Sequence, residues 1–463
     1  MCVSRSVRWL LSFAGVCTVL GLTMAVATMS GQARGLGWSG RGAVQEGDQL
    51  HPWPMVGGDP AHSGSTEGPP PPYREAWTVP DLEPLAGPTV AENVVIVVET
   101  ERVRAVDRES GRSVWEADRE AGPGGPAAIA GSLVIFSEGR GSEATITAVR
   151  LEDAEPAWSV RTRAPALGGP AVAEGRVYVG TSDGRVVALE ADEGTRAWEY
   201  RAQGRLDTSP AVADGLVFVA AEDFSSGAAT VYALDASTGR ERWRFPPSGP
   251  AIGVSSVSVA GGTAFVGLGD FMIHAFDAAT GAERWRARAR APFSARLVPA
   301  AGDEVVLGDR AGHLYQLNPG SGEVEWIFRF PGDLVDASPA LAGGAAVVGD
   351  GVGQASAIDV SSGLLVWKRV LGAGPVGAVA SDGERLYLAV QGVRGRLLAL
   401  EHDPEGSLLA EPSPTTLFLG RALLNFAVAA LVVGGGLLML FRRLGSGPGG
   451  PAGTDVGTGG GEA

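Results

Sequence analysis

Residues 233–243 read Ala233-Leu234-Asp235-Ala236-Ser237-Thr238-Gly239-Arg240-Glu241-Arg242-Trp243, and the phrase recurs along the chain. Asp235 stands four positions before Gly239, which stands four before Trp243. The spacing returns at Asp107-Gly111-Trp115, Glu190-Gly194-Trp198, Asp277-Gly281-Trp285, Asn318-Gly322-Trp326 and Asp359-Gly363-Trp367. A degenerate copy from Arg150 to Trp158 keeps the spacing but has Ala154 in the glycine place. An Asp or Asn side chain accepts backbone N–H bonds inside a tight turn, and Ser or Thr assists. Gly takes the left-handed conformation that a short hairpin loop with a bulge requires. The phrase therefore predicts strand, turn and strand. Trp opens the second strand, where its flat face fills the wedge between neighbouring units.

The tryptophans set the period. Trp77, Trp115, Trp158, Trp198, Trp243, Trp285, Trp326 and Trp367 follow one another at intervals of 38, 43, 40, 45, 42, 41 and 41 residues. That is the length of one four-stranded propeller blade. Before each turn lie short apolar stretches separated by Gly or Asp-Gly, as in Gly169 to Leu189, which read as three antiparallel strands. Equivalent sets begin near Gly87, Gly125, Ser209, Ser255, Val298, Ser338 and Gly374. The phase carries a further expectation. A Trp strand, Arg74 to Val79, has no set before it, and a set ending at Leu400 and Glu401 has no Trp after it. Ring closure, with the N-terminal strand completing the last blade, would remove the open edges. The expected fold is all-β: an eight-bladed β-propeller of four-stranded antiparallel blades over residues 73–410, plus one C-terminal transmembrane helix.

Both ends carry membrane signals. Arg5 and Arg8 precede an apolar run from Trp9 to about Met29, with Ala25-Val26-Ala27 or Gly31-Gln32-Ala33 as the cleavage site. Residues 1–33 are thus expected to be a signal peptide or an uncleaved N-terminal helix, followed by a Pro/Gly-rich lead-in over 34–72. Cys2 and Cys17, the only cysteines, fall in the first segment. Val16 stands before Cys17 where lipoprotein signals prefer Gly or Ala. Near the other end, Ala422 to Phe441 holds no charge and one amide, Asn425. At about 1.5 Å per residue that run spans roughly 30 Å, one hydrocarbon core. A transmembrane helix is expected over 416–441. Arg442 and Arg443 follow it, which points the Gly-rich tail of 442–463 into the cytoplasm. The propeller then lies outside the cytoplasm, anchored to a cell membrane.

The repeated Ala-x-Asp-x-x-Thr-Gly-x-x-x-Trp phrase resembles the tryptophan-docking repeat of the pyrroloquinoline-quinone (PQQ) dehydrogenases and of quinoprotein-like propellers that have lost the cofactor. Trp53-Pro54-Met55-Val56-Gly57-Gly58-Asp59-Pro60-Ala61-His62-Ser63-Gly64 looks like the lead-in common in those proteins, so the resemblance covers about residues 53 to 405. It implies the fold. For function it implies either of two things: a dehydrogenase of an alcohol or sugar holding PQQ and calcium, or a binding scaffold such as the outer-membrane assembly lipoprotein.

The residues favour the scaffold. Net charge is −15, which opposes binding to nucleic acid. Of the 37 basic residues only Lys368 is a lysine, so no phosphate loop with its lysine exists. His51, His62, His274, His313 and His402 show no metal-ligand spacing. The dehydrogenases resembled here use longer insertions, a calcium ligand set, a catalytic Asp and often a cysteine pair. In this chain the candidate carboxylates Asp107, Asp235, Asp277 and Asp359 repeat with the blade and so serve the fold. The expectation is a non-enzymatic binding or scaffolding module for an envelope protein or a ligand, with no cofactor and no metal site. One local feature stands apart. Arg284, Arg286, Arg288 and Arg290 alternate after the fifth turn, with Arg296 behind them, and period-two spacing puts the four on one face of a strand. They read either as charge that guards an outer strand or as a docking patch for an anionic partner.

Overall fold

The second strand of a blade is a continuous apolar run, as in Val94–Val98 and Ala345–Gly349, and every residue of these two is buried. Such runs arise where both faces of a strand are covered, which a ring of stacked blades provides. In the computed structural model the described residues are 54–409, apart from 56–57, 61, 63–67, 247–252, 292, 294–297, 300–304, 331–338 and 393. They form eight four-stranded antiparallel sheets. Blades 1 to 7 run in chain order over 89–118, 128–161, 171–201, 211–245, 258–288, 298–329 and 340–370. The segments expected to be an export signal (1–33), a transmembrane helix (416–441) and a tail (442–463) lie outside the described residues. Among the described residues no helix is long and apolar enough to cross a membrane.

Blade 8 closes the ring as the phase of the repeat predicts. Val376–Ser381, Arg385–Val390 and Gly395–His402 supply three strands, and Tyr73–Leu82 is the fourth. Tyr73 lies opposite His402 and Trp77 opposite Ala399. Arg74 and Glu401 add an ion pair at 2.8 Å across the seam.

The tryptophans hold blade to blade. Each indole N–H donates to a backbone carbonyl of the next blade, at 2.6–3.1 Å: Trp77 to Arg108, Trp115 to Leu151, Trp158 to Ala191, Trp198 to Ala236, Trp243 to Ala278, Trp285 to Pro319, Trp326 to Val360 and Trp367 to Tyr73. The first seven acceptors sit in the turn between the third and fourth strands. The glycine of that turn is therefore needed twice. Gly239 has φ of 70°, and a Cβ built there would lie 2.6 Å from ring carbons of Trp198. Gly111, Gly194, Gly281, Gly322 and Gly363 meet Trp77, Trp158, Trp243, Trp285 and Trp326 in the same way. Blade 2 is the exception. Ala154 takes φ of 62° and packs at the edge of the cluster that holds Trp115. Its turn keeps the backbone bond from Ala154 N–H to Arg150 O at 2.9 Å, but an Arg150–Asp153 ion pair replaces the usual acceptor.

The repeated carboxylates serve these turns. Asp235 Oδ1 accepts from Ser237 Oγ at 2.6 Å, and from the N–H and hydroxyl of Thr238 at 2.9 and 2.8 Å. Ser237 first, then Thr238, hold its carboxyl down at about 2. Arg284 and then Thr280 do the same for Asp277, also to about 2. In blade 6 Asn318 Oδ1 accepts from Gly320 and Ser321 N–H with no charge at all.

The lead-in is more than a leader. Its described residues reach across the ring to the innermost strands: Pro54 O accepts from Ile129 N–H at 2.7 Å and Pro60 O from Val212 N–H at 2.6 Å. Met55 is buried in the core that joins blades 2 to 4, with its sulfur 3.4 Å from Val172 N. His62 Nδ1 lies 3.0 Å from the Val257 carbonyl. These contacts cover three donors and one carbonyl at the free inner edges of blades 2 to 5. The sequence marks the segment but not this role.

Two outcomes are expected in thermal unfolding. Gly239→Ala should cost about 2 kcal/mol, from the left-handed backbone and the crowded indole. For Ala154→Gly the left-handed penalty of about 1–2 kcal/mol outweighs the glycine entropy cost of about 0.5–1, so this variant should be the more stable. The second outcome concerns acid. Asp235 ionises at about 2 when folded against an ordinary 3.8. Its contribution is complete above the unfolded value and is lost as pH falls through the folded one. Asp235→Asn, which copies Asn318, should leave stability at neutral pH nearly unchanged and reduce the loss between about pH 4 and 2.

Candidate docking surface

In an antiparallel blade the turn between strands two and three lies at the opposite end from the turn that receives Trp. At that end four blades carry equivalent tight turns. Gly184, Gly312 and Gly353 donate their N–H to Thr181, Asp309 and Asp350, and each carbonyl accepts the N–H of the residue that ends the outer strand, at 2.8 Å. In blade 5 the same two bonds are made by Phe271, to Leu268 O and from Ala289 N–H. The three glycines have φ of 86°, 79° and 92°, and Phe271 holds 64°. An exposed phenylalanine in the left-handed region is an outlier that costs about 1–2 kcal/mol. At Gly184 and Gly353 a Cβ would strike the carbonyls of Gly204 and Gly372 at 2.3 and 2.2 Å. In blade 5 an open groove of about 450 Å³ is lined by Phe271, Arg288, Ala289 and Arg290.

The arginine row separates into two parts. Arg284, near the Trp-docking end, bonds Asp277 at 2.7 Å and the Thr263 hydroxyl. It is part of the turn. Arg286, Arg288 and Arg290 are exposed, and among the described residues none has an ion pair. Ala287 and Ala289, between them, are buried in the core shared with blade 6. Arg290 N–H is fixed by Tyr315 Oη at 2.9 Å, so its backbone is held by the neighbouring blade. Arg296 lies outside the described residues.

The other chemistry-bearing groups are already engaged. His274 is buried with Nδ1 2.8 Å from Glu283 and Nε2 3.1 Å from Asp270, its ring stacked on Phe276. His313 faces Asp309, which also accepts the Tyr315 hydroxyl at 2.6 Å. Burial first, then that bond, pushes the Tyr315 hydroxyl upward. His402 Nδ1 lies 2.9 Å from Pro70 O. Among the described residues no group of three or more His, Cys, Asp or Glu could hold a metal. A second crevice, lined by Arg161, Thr181, Arg185 and Glu199 among others, has about 60 Å³, space for about two waters.

Phe271→Gly restores the residue of the sister turns. It should raise thermal stability by about 0.5–1 kcal/mol, the backbone penalty less the glycine entropy. A fall in the unfolding midpoint would mean that Phe271 supports the blade rather than straining it.

A model of the PQQ-type repeat family described as "Outer membrane protein assembly factor BamB" matches residues 74–142, 99–206, 201–270 and 269–415. A tetrathionate hydrolase of Acidithiobacillus ferrooxidans is 27% identical over 161 residues, 35% of this chain and 29% of that protein. The chain thus spans less than a third of that relative's length. BamB from Moraxella catarrhalis has a TM-score of 0.59 at 17% identity, covering 73% of this chain and 99% of that one. The quinohemoprotein alcohol dehydrogenase ADHIIG from Pseudomonas putida HK5 reaches 0.63 at 15% identity, covering 79% and 82%. At such identities structural likeness speaks for the fold alone. The overlapping repeat matches run from residue 74 to residue 415, and on them the chain belongs to the PQQ-repeat family described as outer membrane protein assembly factor BamB.

Proposed function

We propose that this propeller is a non-catalytic binding module. It is tethered by a helix over 416–441, stands outside the cytoplasm, and holds an envelope protein or a ligand. One observation carries the reading. The repeated carboxylates Asp107, Asp235, Asp277 and Asp359 are spent on turns, while guanidiniums with no ion pair among the described residues and a strained, exposed Phe271 gather at one groove. A rigid scaffold with a few free, oriented groups suits recognition. The likeness to BamB, named for assembly in the outer membrane, supports a scaffolding role. The likeness to quinohemoprotein dehydrogenases supports the alternative, a PQQ-dependent dehydrogenase of an alcohol or sugar.

Titration of the purified chain with PQQ and calcium, followed by calorimetry and by dye reduction with alcohols and sugars, separates the two. The expected result is neither stoichiometric binding nor turnover. Tight binding with turnover would make the protein a dehydrogenase and end the binding-module reading.

A further inference from the structure

We infer that the groove beside Phe271 is a docking site for an acidic, extended segment of a partner protein, with carboxylates at alternate positions and an apolar side chain at one end. This rests on the binding role proposed above and names the chemistry of what is bound.

Charge points to an anion. Arg286, Arg288 and Arg290 have no ion pair with a described carboxylate, in a chain whose net charge is −15. Other exposed arginines divide. Arg102, Arg196 and Arg369 pair with Glu116, Glu199 and Glu75, while Arg201 and Arg329, which end the outer strands of blades 3 and 6, have no ion pair with a described carboxylate either. What sets blade 5 apart is three such arginines at alternate positions. Spacing points to an extended chain. Arg286 and Arg288 are two apart on the strand Glu283–Arg288, about 6.4–6.8 Å along it, the distance between alternate side chains of another extended segment. Arg290, expected on the same strand face, lies in the bend just past the strand's end. Phe271 adds an apolar wall at the end of the row, and Arg288, Ala289 and Arg290 form the rest of the groove.

Position argues against a lipid surface. The described chain leaves the propeller at Leu409, whose N–H bonds Val366 O near the start of the outer strand of blade 7. That is the Trp-docking end, two blades from blade 5 and opposite in height to Phe271. With the tether over 416–441 proposed above, the end of the propeller at Leu409 lies towards the membrane and the groove lies at the other end. The groove faces a protein.

The test uses the full chain and three fluorescent probes. One is a short peptide alternating Glu and Thr and ending in Leu. The second has the same composition with its Glu residues in one block. The third is a phosphatidylglycerol vesicle. The alternating peptide should bind about tenfold tighter than the block peptide. It should lose about tenfold in the double variant Arg288→Glu, Arg290→Glu. Phe271→Gly should weaken it about fivefold while the variant stays folded, as its unfolding midpoint reports. Equal binding of the two peptides, no binding, or retention by the charge-reversed variant would overturn the proposal. Vesicle binding with the same arginine dependence would assign the groove to lipid instead. None of these outcomes alters the quinone titration, so failure of the groove and failure of the binding role are read separately.

Discussion

An indole laid on the turn of the next blade is the contact on which the rest of this structure depends. It joins an apolar face to a directed N–H bond, and eight such bonds complete the circle from Trp77 to Trp367. Because the ring must lie flat on the turn, the turn must offer a bare backbone, and the glycine serves the neighbour as much as its own hairpin. At the seam Tyr73 takes over. Its carbonyl receives Trp367, and the two rings meet edge to face at 5.1 Å.

That arrangement consumes most of the chemistry in the chain. The aspartates that recur with the blade accept hydrogen bonds from hydroxyls and amides of their own turns, and the described histidines are taken up by carboxylates or carbonyls. What remains free is set by departures from the repeat. Blade 5 departs twice, in a bulky residue where its sisters have glycine and in three arginines at alternate positions that form no ion pair among the described residues. Both departures meet at one groove, and that coincidence gives the surface its interest.

Blade number, phase and closure were legible because Trp spacing reports a contact made once per blade. The degenerate copy was legible too, since Arg150 to Trp158 keeps its length although Ala154 replaces glycine. The partner of each glycine was not, because reading within one repeat pairs Gly239 with Trp243, whereas the ring above it is Trp198. The lead-in bonds were hidden for a similar reason: Pro54 and Pro60 use backbone carbonyls, which leave no mark on residue choice. Phe271 could have been found. It stands 41 residues before Gly312, which stands 41 before Gly353, but its meaning needed the left-handed backbone. The arginine row was visible as a stripe, while its division at Arg284 depended on where Asp277 points.

Closure by the two ends also sets a clock. Arg74 and Glu401, joined across the last blade, are 327 residues apart. A ribosome adding about 5–20 residues per second needs from about a quarter of a minute to about a minute to cover that distance. Throughout that time the strand Tyr73–Leu82 exists without its partner, and blade 1 presents an uncovered side once it has formed. The finished ring is therefore gained only with the last blade made. Until then the nascent chain depends on being kept from pairing with its copies.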